Sequence, residues 1–179
     1  TVDDGIITSI DSGYIKVKQT DTLIDLRGKT LMPGLMDMHV HFGGEYQSKA
    51  QRPIKTERET EAILATLHAS VTLKAGFTTV RQVGDSGLVA ISLRDAINAG
   101  HVIGPRIFTS GKSIATTGGH ADPTNGMSSD SYEYPVPEDG VINGPYEAYA
   151  SVRQRYKDGA DGIKLTVTGG VLSLSLIHI

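Results

Sequence analysis

The 179-residue sequence has no cysteine. Disulfides and thiolate metal ligands are therefore excluded, and any metal would be held by His, carboxylate or a rarer donor. Nor does any apolar stretch approach the ~20 residues that a membrane span needs. Lys and Arg form no run, and the formal net charge of -3 points to neither nucleic acid nor a lipid surface. No signal peptide opens the chain. Thr1 runs straight into Asp3-Asp4-Gly5 and reads as an internal start, so the compartment, cytoplasmic or exported, stays open. What is present is ordinary for a globular protein, with 39% hydrophobic and 21% charged residues. The length fits one domain, or one small domain and one incomplete one.

The stretch that organises the chain is Pro33-Gly34-Leu35-Met36-Asp37-Met38-His39-Val40-His41. An apolar run after a Pro-Gly turn leads to two histidines separated by one residue. Strand side chains alternate faces, so His39 and His41 point one way and Met36, Met38 and Val40 the other. Two imidazoles about 7 Å apart along a strand can share a metal ion. A bare His-x-His also arises by chance. The apolar run before the pair and Gly43-Gly44 after it place it where a buried strand opens into a loop, the usual seat of chemistry in α/β enzymes.

Before this stretch, 5–10, 14–17 and 22–26 read as short strands separated by Asp, Ser and Gly. After it the rhythm becomes strand, helix, strand. Thr56 and Glu59 have capping-box spacing, followed by Ile63, Leu64, Leu67 and Val71 at helical spacing and a stop at Gly76. Strand 77–83, a helix carrying Leu88, Ile91 and Ala96-Ile97 up to Gly100, and strand 106–109 follow. A polar loop then runs over 111–144, long enough to predict a lid or substrate loop. Pro145 starts a third helix, with Tyr149, Val152 and Tyr156 along one side and Gly159 at its end. Ile163-Lys164-Leu165-Thr166-Val167 reads as a fourth strand. Repeated strand–helix units imply a parallel sheet, either half of an eight-stranded (β/α) barrel or a small open α/β sheet. The loops after the strands would share one rim. Leu172–Ile179 reads as a non-native tail, so His178 carries no weight.

Lys164 is unusual for its place in an apolar strand. A buried, unpaired ammonium costs several kcal/mol, which favours the neutral amine. That amine can add carbon dioxide to become a carbamate, which behaves as a carboxylate and can bridge two metal ions. A lysine that snorkels to the rim, or pairs with a carboxylate, fits the same pattern. His120 follows Thr116-Thr117-Gly118-Gly119, where glycines allow backbone to approach a ligand closely; it could bind a substrate carbonyl or carboxylate, or face solvent. His68 and His101 read as surface or capping residues. Asp37 shares the face of His39 and His41 as a supporting group. Arg81 and Asp85 are candidates for an ion pair at the rim.

Taken together, the His39–His41 stretch, Ala75-Gly76-Phe77-Thr78-Thr79-Val80-Arg81, Gly104-Pro105-Arg106-Ile107, Gly118-Gly119-His120 and Gly162-Ile163-Lys164 resemble, in order, the metal-dependent amidohydrolase superfamily. The branch resembled contains imidazolonepropionase-like enzymes and Xaa-Pro dipeptidases. Gln82 departs from it, since relatives often carry Asp after the Arg. The resemblance implies the N-terminal half of a (β/α)8 TIM-type barrel over 32–171, preceded by part of a small β-sandwich over 1–31. It implies two divalent metal ions, most naturally Zn: His39 and His41 would hold one, and a carbamate on Lys164 would bridge to the other. His120 would orient the substrate, a small-molecule amide or dipeptide. The expected activity is hydrolysis of C–N bonds by a binuclear dipeptidase or carboxypeptidase of Xaa-Pro or Xaa-Arg type. Related enzymes take two further His ligands and a catalytic Asp from later strands, so the chain alone is expected to be inactive. Self-association of the full-length form stays open. Two alternatives stand beside this: a mononuclear cyclic-amide hydrolase or deaminase with unmodified Lys164, and a non-enzymatic α/β domain.

Overall fold

The computed structural model describes residues 1–43, 57–85 and 87–170. Thr56, Gly44 and the tail from Leu172 lie outside the described residues, so the expected capping box and non-native tail are not addressed. The chain divides into two units, Thr1–Pro33 and Gly34–Ile179.

In the first unit, β1 (Val2–Asp3) pairs antiparallel with β2 (Ile6–Ile7). Asp4 and Gly5, at φ 46° and 76°, supply the two positive-φ residues that a tight hairpin turn requires. The strands expected over 14–17 and 22–26 do not form. Ile10, Tyr14, Leu23 and Ile24 are exposed within this unit. Without a third strand or helix to cover them, short β-prone segments gain too little from pairing to form a ladder.

In the second unit, β3 (Leu35–Val40), β4 (Phe77–Gln82) and β5 (Arg106–Thr109) form a parallel sheet in that order. Helices α1 (Arg58–Lys74) and α2 (Val89–Asn98) make the crossovers. Both are followed by glycine, at Gly76 and Gly100, where the sequence puts the stops. The buried core joins Phe42, Val80 and Ile107 of the sheet side to Ala65 and Ala69 of α1 and Val89 and Leu93 of α2. At the entry to β3 the backbones come close: a Cβ on Gly34 would lie 2.1 Å from Thr78 Oγ1.

One further expectation is corrected here. Ile163–Val167 is not a strand; its pairing reduces to a parallel bridge between Ile114 and Leu165. The neighbouring strand stops at Thr109 and turns at Gly111 (φ 58°) before resuming at Ile114, so only Ile114 N to Lys164 O (2.8 Å) and Thr166 N to Ile114 O (2.9 Å) remain. The third helix forms as expected, and the structure adds which of its sides is buried. On α3 (Pro145–Asp158), Ser151 and Arg155 are buried while Tyr149, Val152 and Tyr156 face outward.

Arg155 explains which side is buried. Its guanidinium lies under the returning end of the long loop, donating to Glu138 O (2.8 Å), to Pro137 O (3.5 Å) and to Asp158 Oδ2 (3.3 Å). Burial pushes its pKa down, while Asp158, Asp139 and Glu138 raise it. A buried charge held by carbonyls and carboxylates outweighs an apolar stripe in deciding which side turns inward. No described helix is long and apolar enough to cross a membrane.

Candidate metal centre

His39 and His41 stand at the carboxyl end of β3. Val40 and Phe42 pack into the core on the helix side, so alternation sends both imidazoles to the opposite face of the sheet. Their rings are edge to face with centroids 5.3 Å apart. Two imidazoles bound to one tetrahedral ion at ~2.1 Å from each nitrogen have centroids roughly 5 Å apart. The separation therefore fits a shared metal. Asp37, on the same face, accepts from His39 N (3.0 Å) and fixes the backbone between the donors.

Lys164 is half-buried between exposed Ile163 and Leu165, and lies close enough to His39 for its charge to be felt there. Desolvation first, then the charges of Lys164, His41 and Arg81, hold the His39 imidazole below its ordinary pKa, with Asp37 acting the other way. The neutral ring is the form that donates to a metal. No group of three His, Cys, Asp or Glu suited to a metal occurs among the described residues.

His120 is carried by a turn built on Asp122. That buried carboxylate accepts from Gly118 N (2.8 Å), Thr124 N (2.9 Å) and Thr124 Oγ1 (2.6 Å), and Asn125 Nδ2 donates to Gly119 O (2.6 Å). The His120 ring rests against Gly170, where a Cβ would meet Nδ1 at 2.3 Å. That nitrogen is buried without a hydrogen-bond partner among the described residues. The long loop is thus brought to the segment that follows Lys164.

Three contributors were missed by the sequence reading. Gln82, noted there only as a departure, is fully buried and bonds the loops after β3 and β4. His68, read as surface or cap, has Nδ1 3.0 Å from Phe42 O. Asp122 was not singled out. A polar residue two places after Val80, on the core-facing side of a strand, is the signal that marks Gln82. Arg81 Nε donates to Met38 O (2.8 Å), and Asp85 accepts from Ala90 N (2.5 Å) at the start of α2.

Residues 30–176 match the amidohydrolase family. The chain belongs to that family. Amidohydrolases generally use divalent metal ions, and the fold of the solved relatives is of the TIM-barrel type, of which the described residues form a part. A crystal structure of a Xaa-Pro dipeptidase with methionine bound in its active site is similar, with 76% identity, TM-score 0.85, and coverage of 90% of this chain and 40% of that one. A prolidase complexed with N-methylphosphonate-L-proline shares 32% identity at TM-score 0.70, covering 87% of this chain and 39% of that one. The ochratoxinase of Aspergillus niger is 30% identical over 161 residues, 82% of this chain and 33% of the relative. The chain thus spans about a third of that curated amidohydrolase.

Proposed function

We propose that this chain is the N-terminal half-barrel of a binuclear, metal-dependent hydrolase of amide bonds, of the Xaa-Pro or Xaa-Arg dipeptidase or carboxypeptidase type. Residues 1–31 would belong to a small flanking β domain and 32–171 to the barrel. The observation that carries the reading is the pairing of two imidazoles at a strand end, the His39 ring held below its ordinary pKa, with a lysine within electrostatic reach, in an amidohydrolase 76% identical to a Xaa-Pro dipeptidase structure. The outward apolar residues of α1 and α3, and the single bridge at Leu165, support a half-barrel, because they are places where further barrel elements would pack.

Each residue has a definite task in this reading. His39 and His41 offer ring nitrogens to one divalent ion, Zn being the expected one. The Lys164 amine, on adding carbon dioxide and releasing a proton, becomes an N-carboxylate that reaches a second. His120, held by the Asp122 turn, orients the carbonyl or carboxylate of a small amide or dipeptide. Divalent metal bound there supplies Lewis acidity toward the scissile carbonyl and lowers the pKa of water. Asp37 and Gly84 keep the imidazoles aimed.

Elemental analysis of the full-length protein, paired with release of proline or arginine from dipeptide and N-acyl libraries, tests this. Two divalent ions per chain, with hydrolysis lost on chelation and restored by Zn, is expected. His39→Ala and Lys164→Ala should each lower kcat/KM by at least about a hundredfold, roughly 2.7 kcal/mol of barrel-site stabilisation. One ion per chain with hydrolysis of cyclic amides would instead establish the mononuclear alternative, and none the non-enzymatic one.

A further inference from the structure

His41 is aimed by a residue that is neither a donor to metal nor on its own strand. Gln82 is fully buried at the end of β4, with Oε1 2.8 Å from Phe42 N and Nε2 3.2 Å from Gly84 O. The orientation of this amide follows from its neighbours. Phe42 N is a backbone N–H and can only donate, so the oxygen of Gln82 must face it and the NH2 must face Gly84. The Gly84 carbonyl can only accept, and His41 Nδ1 lies 3.3 Å from it. That ring nitrogen therefore carries the hydrogen, which leaves the lone pair on Nε2.

We infer that Gln82 is a positioning residue for His41: by gripping Phe42 N and Gly84 O together, it holds the carbonyl that sets the tautomer and angle of the imidazole. The inference rests on the metal-centre reading above. Gly84 adds the space that this needs. Its φ is 146°, and a Cβ there would come within 2.7 Å of Ser113 Oγ and 3.3 Å of His41 Cε1, so the ring and the carbonyl meet only over a glycine. A carboxylate at position 82 could accept from Phe42 N but not donate to Gly84 O.

Gln82→Glu therefore separates the two halves of the clamp at constant shape. In the full-length protein, with Zn2+ as probe, its dissociation constant should rise about 10–100-fold, the range for groups that orient a metal-binding imidazole. In a His41→Ala background the same change should shift it by less than about twofold, because the carbonyl no longer has a ring to hold. In the unsubstituted, metal-free protein, 15N-histidine NMR should find His41 protonated at Nδ1, a readout that requires no variant to fold. The inference is overturned by an unchanged Zn2+ affinity in Gln82→Glu while His41→Ala weakens it, by equal losses in both backgrounds, or by the Nε2-protonated tautomer. If His41→Ala itself leaves Zn2+ affinity intact, the metal-centre reading falls and takes this one with it.

Discussion

α1 and α2 cross the same face of one sheet, yet only α2 buries large aliphatic side chains. α2 turns Val89, Ile91 and Leu93 inward. α1 buries Ala65 and Ala69 and sends Ile63 and Leu67 outward, at 70% and 57% exposure. Both helices carry aliphatic residues at helical spacing, so periodicity alone gives them the same treatment. Room makes the difference. Ala69 sits beside Gly104, whose added Cβ would lie 3.1 Å from Ala69 Cβ and 2.5 Å from Ile97 Cδ1, so the space between α1 and the Gly104 segment is already filled and admits only a small side chain from α1. An apolar stripe thus says that a helix packs against something, not against what.

The contrast can be broken or sharpened by experiment. Leu93→Ala on α2, where the leucine is 4% exposed, should cost about 2–5 kcal/mol of unfolding free energy. Leu67→Ala on α1 should cost less than ~0.5 kcal/mol if its face stays in solvent. Urea unfolding of both variants reads the difference, and a larger loss at Leu67 would mean that further chain covers α1. Next in size, Ala69→Leu should destabilise by about 1–3 kcal/mol through overpacking, the reverse of what its hydrophobicity alone suggests.

A further small effect lies at the loop, where charge rather than packing decides. Lys112 Nζ and Asp139 Oδ1 are 2.9 Å apart. Burial pushes the Asp139 carboxyl up, but the hydrogen bond and charge of Lys112 outweigh it and leave the pKa below its ordinary value. The unfolded chain then binds the proton more readily, so this stability is present above the unfolded carboxyl pKa of about 3.9 and is lost as pH falls through the lower folded value. Lys112→Met should flatten that acid-range loss by less than ~1 kcal/mol, since 41% of the Asp139 side chain is exposed and the pair is screened by solvent. Thermal unfolding between pH 2 and pH 6, roughly spanning both carboxyl values, measures it.

The same contrast explains what could be read from the residues and what could not. Helix ends at Gly76, Gly100 and Gly159, the parallel strands and the common face of His39 and His41 depend on local periodicity and turn chemistry, and the sequence displays them directly. The short N-terminal strands and 163–167 looked equally local. Their ladders depend on a partner, and residues 110–113 interrupt the one beside Lys164. Arg155 and Gln82 escaped for a different reason. Each is a polar residue whose burial depends on at least one backbone group well away in sequence, Phe42 N for Gln82 and Pro137 O and Glu138 O for Arg155, and no spacing rule announces such a match. His120 was noticed through its glycines, but the Asp122 carboxylate that shapes its turn was not.

The near-contact at Gly34 reaches further than its size suggests. The chain enters β3 past Thr78 with no room for even a methyl group, so the residue leading into the strand is seated directly on β4. Any side chain introduced there would have to lift that seat, and the strand above it is a lever ending in two imidazoles. A change that touches no donor atom would then retune where both rings sit.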